Sequence, residues 1–210
     1  MKIKWLGHAS FIIETLGKRI ITDPFDEQVG YPVYADEVDY ATISHDHWDH
    51  NATHVLKENP HIVDTVDELD FDGLIIKGID SYHDPEQGKL RGSNIIFKII
   101  AEGINLVHLG DLGQLLDEEQ IQAIGQVDIL LIPVGGTYTI DAKQALKIVE
   151  DLKPKLIIPM HYKTPHLSFE LAPVEDFISN FEIVTKKPYL EIDKTALENK
   201  NNEIILLDYL

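Results

Sequence analysis

The residues best able to do chemistry lie together between Ser44 and His54, SHDHWDHNATH, which packs four imidazoles and two carboxylates into the ten residues from His45 to His54. Groups crowded in this way compete for the same protons, and a divalent cation between them removes the conflict. His45 and His47 stand two positions apart at the end of an extended run, so their side chains point to one side. Asp49 and His50 follow as the chain turns. One loop can thus give two neutral nitrogens to one metal, and a carboxylate with a further nitrogen to a neighbouring position. That donor set suits zinc, and manganese or iron would also accept it. The competing reading is a solvated helix start with merely exposed histidines, and the density of His-x-His-x-Asp-His directly after a strand weighs against it.

A two-metal site needs donors from elsewhere in the chain. His83 in DSYHDPEQG, Asp111 in LVHLGDLG and His161 in LIIPMHYKT each stand where a predicted strand runs into a loop, a usual place for sites in sheet proteins. Taken singly they read equally well as a capped turn, a helix-approach turn and a core histidine. Taken together with the first cluster they read as a site. A weaker outer group consists of His8 in WLGHASF and Asp23 in ITDPF, either of which could orient a ligand or simply shape a turn. His108 could hydrogen-bond the site or a substrate. Tyr162 and Lys163 could line a pocket, with Lys163 an anchor for a substrate anion or an ordinary solvated lysine. Gly135-Gly136 lacks a Walker lysine and reads as a close backbone approach that puts Thr137 and Tyr138 beside the site. Trp5 and Trp48 are expected to pack, with Trp48 bracing the metal loop. His54 is given to the surface, and His61 and His166 belong to no constellation.

The elements that must position these groups are those of an α/β protein. IKWLG, SFIIETL and RIITD open a meander, and further strands are expected at YATIS, HIVD, LIIKGI, SNIIFKII, INLVHLG, DILLIPV, KLIIPM and NEIILLDYL. Several are apolar on both faces, which calls for helical cover. Helices are predicted over 117–124 and 141–152, capped by Asp117 and Asp141, and a short one over 173–181. A break near Glu102-Gly103 would separate two strand-rich halves, forming two sheets packed face to face.

At 210 residues and 44% hydrophobic, the chain is expected to form one domain over 1–210. There is no cysteine, so any transition metal must be held by His and carboxylate. The formal net charge of −18 would repel a phosphate backbone, so nucleic acid is not an expected partner. Neither a signal peptide nor an apolar run of roughly 18 residues is visible, and a cytoplasmic protein without a membrane span follows as the expectation. No motif encodes an oligomeric state.

The ordered motifs TDPF, HDHWDH, SYHD, HLGDLG and PMHYKT resemble the metallo-β-lactamase superfamily over nearly the whole chain. GHASF and PMHY resemble most its small branch containing ascorbate-6-phosphate lactonase and, further off, the N-acylphosphatidylethanolamine phospholipases. The resemblance implies a four-layer αββα sandwich with two divalent ions at one edge of the sheets. His45, His47 and His83 would bind the first ion; Asp49, His50 and His161 would bind the second; Asp111 would bridge both. Ser44 stands where threonine is usual, and Asp84-Pro85 where serines are common. A water shared by two such ions loses its proton near neutral pH, giving a hydroxide that attacks a polarised carbonyl or phosphorus, with Asp49 orienting it and shuttling a proton. The expected function is a hydrolase of a small-molecule ester, lactone or phosphoester. The alternatives are a metal-dependent nuclease or phosphodiesterase, disfavoured by the acidity, and a non-enzymatic metal-binding protein, disfavoured by the complete donor set. Short loops suggest an open cleft.

Overall fold

The computed structural model describes residues 1–167 and 169–209. Its first sheet has six strands: β1 (Lys2–Gly7), β2 (Ser10–Thr15), β3 (Lys18–Thr22), β4 (Tyr40–Thr42), β5 (His61–Val63) and, from far along the chain, β13 (Leu190–Glu191), in the order β13-β1-β2-β3-β4-β5. The second sheet has eight: β6 (Glu68–Phe71), β7 (Leu74–Tyr82), β8 (Ser93–Ala101), β9 (Ile104–His108), β10 (Ile129–Pro133), β11 (Leu156–Met160), β12 (Val184–Lys187) and β14 (Glu203–Leu207), in the order β12-β14-β11-β10-β9-β8-β7-β6. This is the mixed α/β, two-sheet architecture that the strand pattern predicts. The division between the sheets, however, is not at Glu102-Gly103. Those two residues form the hairpin turn joining β8 to β9 within the second sheet, with Ala101 opposite Ile104 and positive φ at both turn positions. The chain changes sheets earlier, between Val63 and Glu68.

Side-chain alternation shows how the layers form. In β2, Phe11 and Ile13 join a large apolar cluster that also contains Ile76, Phe97 and Ile158 of the second sheet, whereas Ile12 joins a smaller cluster with Ile21 and Ala41. The smaller cluster is closed by Phe25, Val29, Tyr31, Leu167 and Leu171, so loops and a 3₁₀ turn (Glu27–Val29) cover that face of the first sheet. The second sheet is covered by helices. β10 and β11 are parallel and buried along their full length, as strands with cover on both faces must be. Asp117 and Asp141 start α1 (Glu118–Ile124) and α2 (Ala142–Leu152) as predicted, each forming a reciprocal capping box with Gln120 or Gln144 three residues on. α2 buries Ala145, Ile148, Val149 and Leu152, a stripe at helical spacing. The helix expected over 173–181 is shorter, α3 (Glu175–Ile178). No helix among the described residues is long and apolar enough to cross a membrane.

Candidate metal centre

Six strands end at the same edge of the two sheets, and the segment leaving each carries one part of the site. β1 leads to His8, β3 to Asp23, β4 to the His45–His50 loop, β7 to His83, β9 to Asp111 and β11 to His161. The donor atoms of His45, His47 and His83 lie within 4.8 Å of one another, as do those of His45, His50 and Asp111, and those of His8, His50 and His161. Asp111 sits between these groups: its Oδ2 is 3.3 Å from His50 Nε2, 3.4 Å from His83 Nε2 and 3.2 Å from His161 Nε2. Asp49 Oδ2 is 3.6 Å from His50 Nε2 and 3.1 Å from His8 Nε2. All seven residues predicted as donors therefore converge. His8, predicted only to stand behind the loop, is in the donor cluster itself, 3.1 Å from His50 nitrogen to nitrogen.

The groups behind the cluster set which nitrogen each ring presents. Asp23 accepts from the Ser44 backbone N–H at 2.8 Å and from the Ser44 hydroxyl at 2.6 Å. With that proton committed, Ser44 Oγ accepts from His45 Nδ1 at 2.9 Å, leaving the Nε2 lone pair of His45 facing the site. His50 Nδ1 donates to Asp23 at 3.0 Å, so its Nε2 faces the site as well. Asp23 thus holds one ring directly and the other through Ser44. Asp111 is held from behind by Asn94, whose Oδ1 accepts from the Asp111 backbone N–H at 2.9 Å while its Nδ2 donates to Ser81 and to the Leu109 carbonyl. Gly110 is needed there: φ is +57°, and a Cβ would strike Asn94 Oδ1 and Ser44 Cβ. His8, Asp23 and His161 also take left-handed backbone conformations, which few non-glycine residues adopt and which concentrate at functional sites. The His8 carbonyl is pinned by Trp5 Nε1 and by the His161 backbone N–H, each at 3.1 Å.

The electrostatics of the cluster call for cations. Burial favours the neutral form of each carboxyl, yet hydrogen bonds and neighbouring imidazoles outweigh it and hold Asp23, Asp49 and Asp111 below the usual carboxylate range. Burial lowers His8 to about 4 and His45 to about 3, keeping both neutral, and it lowers His83 as well. His50 is raised despite its burial, because Asp111 and Asp23 face it. No lysine or arginine pairs with these three carboxylates among the described residues. Asp111 Oδ1 is buried with no hydrogen-bond partner. A cluster of crowded imidazoles and carboxylates with no lysine or arginine among them, with nitrogens 3.0 Å apart at His45 and His47, is a donor set that fits divalent metal ions.

Three expected contributors lie elsewhere. His108 is fully buried and bonds the Ala9 carbonyl at 2.8 Å and the Gly110 backbone N–H at 3.1 Å, so it ties the two sheets together behind the site and does not line the cleft. Tyr162 packs against Trp5 in the core, because the left-handed turn at His161 sends the next side chain inward. Lys163 donates to the Leu167 and Phe169 carbonyls, both at 2.8 Å, bracing its own loop instead of anchoring an anion. Trp48 is half exposed and meets Phe169 edge-on, rather than packing inside. Tyr138 borders the site as expected, and Gly135 is forced by the close approach of the His161 carbonyl. His54 is on the surface. Asn94, Arg91 and Phe169 also belong to the site or its surroundings and carry no local motif. The Asp84 carboxylate accepts from the backbone N–H groups of Glu86, Gly88, Leu90 and Arg91 and so shapes the loop after His83; Asp-Pro-x-x-Gly is the turn signal for it.

The donor cluster forms the floor of a cleft of about 470 Å³, reached by His47, Asp49, His83, Asp111 and His161. A larger groove of about 940 Å³ runs past Glu14, Arg19, Glu58 and Glu102 and contains none of the candidate donors.

Residues 2–161 match the β-lactamase superfamily domain. A UPF0173 metal-dependent hydrolase of Carboxydothermus hydrogenoformans is 33% identical over 208 residues, covering 84% of this chain and 91% of its own. Among solved structures, one from Thermotoga maritima described as a candidate Zn-dependent hydrolase of the metallo-β-lactamase superfamily is 40% identical, with a TM-score of 0.84 and 99% of both chains covered. Igni18, a metallo hydrolase from Ignicoccus hospitalis, shares the fold at 22% identity, with a TM-score of 0.67 over 99% of this chain and 94% of that one. The chain belongs to the metallo-β-lactamase superfamily, within its UPF0173 metal-dependent hydrolases.

Proposed function

We propose that the protein is a hydrolase that uses two divalent metal ions, zinc being the first candidate, to cleave a small ester, lactone or phosphoester. The observation that carries this reading is the convergence of six imidazoles with Asp49 and Asp111 on one cleft floor, with no lysine or arginine paired to these carboxylates among the described residues. His45, His47 and His83 would hold one ion, and Asp49, His50 and His161 the other, with Asp111 between them. Ions so held would acidify a bound water and polarise the substrate's carbonyl or phosphoryl oxygen. The protein's own part is to hold that geometry. Asp23 and Ser44 fix the tautomers of His45 and His50, Asn94 fixes Asp111, and Asp49, whose side chain reaches the cleft at 14% exposure, is placed to orient the attacking water and take its proton. The Thermotoga relative described as Zn-dependent supports the choice of zinc. The shared apolar cluster of the two sheets supports reading residues 1–210 as one hydrolase domain.

The test is elemental analysis of the purified protein, followed by a screen of lactones, thioesters, esters and phosphodiesters with His47→Ala alongside. The reading predicts activity that a chelator abolishes and zinc or manganese restores, with reduced metal in the variant. Equal metal in both proteins, or hydrolysis indifferent to chelation, would overturn it.

A further inference from the structure

The walls of the cleft differ in kind from its floor. Trp48, Leu90, Tyr138 and Phe169 supply a nearly continuous apolar surface, and Trp48, Leu90 and Tyr138 are among the few large apolar side chains the molecule exposes, at 50%, 68% and 41%. Scattered exposed apolar residues need no explanation, but several gathered around one concavity above a polar floor mark a binding site. Phe169 meets both Trp48 and Tyr138 edge-on, at centroid distances of 6.1 and 6.2 Å, so the walls form one connected aromatic surface.

One full charge interrupts that surface. Arg91 is one of only two arginines in the chain; the other, Arg19, lies near Glu14 and donates to the Glu37 carbonyl. Arg91 has no carboxylate partner among the described residues. Its guanidinium stands 5.7 Å from the Tyr138 ring centre and spends one donor on the Thr137 carbonyl at 3.1 Å, and Arg91 lines the cleft with donors to spare. The loop that carries it is rigid, because Asp84 collects four backbone N–H groups from it, including that of Arg91 itself at 2.7 Å. An unpaired guanidinium held on a stiff loop, in a protein of net charge −18, is complementary to an anion.

We infer that the cleft selects an amphipathic anion: a substrate whose apolar body lies along Trp48, Tyr138 and Phe169, and whose carboxylate or other anionic group, remote from the scissile bond, is held by Arg91. This rests on the hydrolase reading for the word substrate, but the binding surface stands independently of it.

Two matched pairs of probes separate the possibilities. The first measures binding to the protein as purified, by fluorescence, of 8-anilinonaphthalene-1-sulfonate against its uncharged analogue N-phenyl-1-naphthylamine. The second measures hydrolysis of mono(4-nitrophenyl) glutarate against neutral 4-nitrophenyl butyrate, each yielding 4-nitrophenol and the free acid. Arg91→Met is expected to reduce the anion-to-neutral preference roughly five- to tenfold in binding and in kcat/KM, the loss anticipated for one charge-assisted contact at a half-open site. Trp48→Ala is expected to weaken both members of the binding pair. An unchanged anion-to-neutral ratio in Arg91→Met would show that Arg91 only braces the loop against Thr137, and would overturn the inference. So would unaltered binding of both dyes to Trp48→Ala. If neither ester is hydrolysed while the dye results hold, the ester form of the hydrolase reading fails and the amphipathic-anion site remains.

Discussion

Asp111 and Asp128 flank the same pair of parallel strands, one following β9 and the other preceding β10, and so lie at opposite ends of the sheet. Both are buried and both remain ionised, but for different reasons. At Asp128 burial works against the charge and is outweighed by Lys194 at 2.7 Å, Lys155 at 3.0 Å and the side chain and backbone N–H of Asn105. At Asp111 burial is outweighed by imidazoles, chiefly His161 and His50, and one carboxylate oxygen has no partner. The chain answers one carboxylate with its own lysines and the other only with crowded imidazoles. The first arrangement is structural; the second costs stability that a bound cation would return.

The largest effect separating the two is expected from Asp111→Asn. It should lower kcat/KM by about three orders of magnitude or more and strip bound metal, since the ligand that in the proposed site would serve both ions loses its charge. The melting temperature of the metal-free variant should not fall below that of metal-free wild type, a comparison that differential scanning calorimetry makes directly. Asp128→Ala should do the reverse. Leaving Lys155 and Lys194 without their partner and Asn105 unsatisfied should cost about 2–4 kcal/mol in denaturant unfolding, with metal content unchanged.

The convergence at Asp111 was legible in the sequence because each donor sits in a local motif at a strand end, and His45 to His50 are adjacent in the chain. What surrounds the donors was much less so. Arg91, Leu90 and Phe169 come to one cleft only because the loops after β7 and β11 meet across the site, a tertiary fact with no local signature. Tyr162 misled because adjacency to His161 was read as a shared direction, whereas the left-handed backbone at His161 turns its neighbour into the core. Asp128 drew no notice, since its partners lie 23 to 66 positions away. The strands β6, β12 and β13 escaped because short, half-charged stretches such as ELDF and VTKK carry too little apolar alternation. The sheet boundary was misplaced for a related reason: Glu102-Gly103 is a strong turn signal, and a two-residue hairpin reads much like a break between sheets.

Smaller effects sharpen the contrast further. Asp23→Asn keeps the shape but weakens the hold on His45 and His50, and should reduce metal affinity by about 10- to 100-fold in a competitive chelator titration. At Asp128 the folded carboxyl lies below its unfolded value, so its contribution to stability is present above the unfolded pKa of about 3.9 and is lost as pH falls through the lower folded value. The stability gap between wild type and Asp128→Asn, followed by chemical denaturation from pH 7 downward, should therefore hold steady to roughly pH 5 and narrow below pH 4. A gap that widened on acidification would mean that the lysines do not hold the charge.

The most direct test of the central claim is the metal content of wild type and Asp111→Asn after equilibration with zinc and removal of the excess, measured by mass spectrometry of the elements. About two equivalents per chain in wild type and fewer than one in the variant are predicted, since Asp111 would serve both positions of the proposed site. Equal metal in the two proteins would contradict the account.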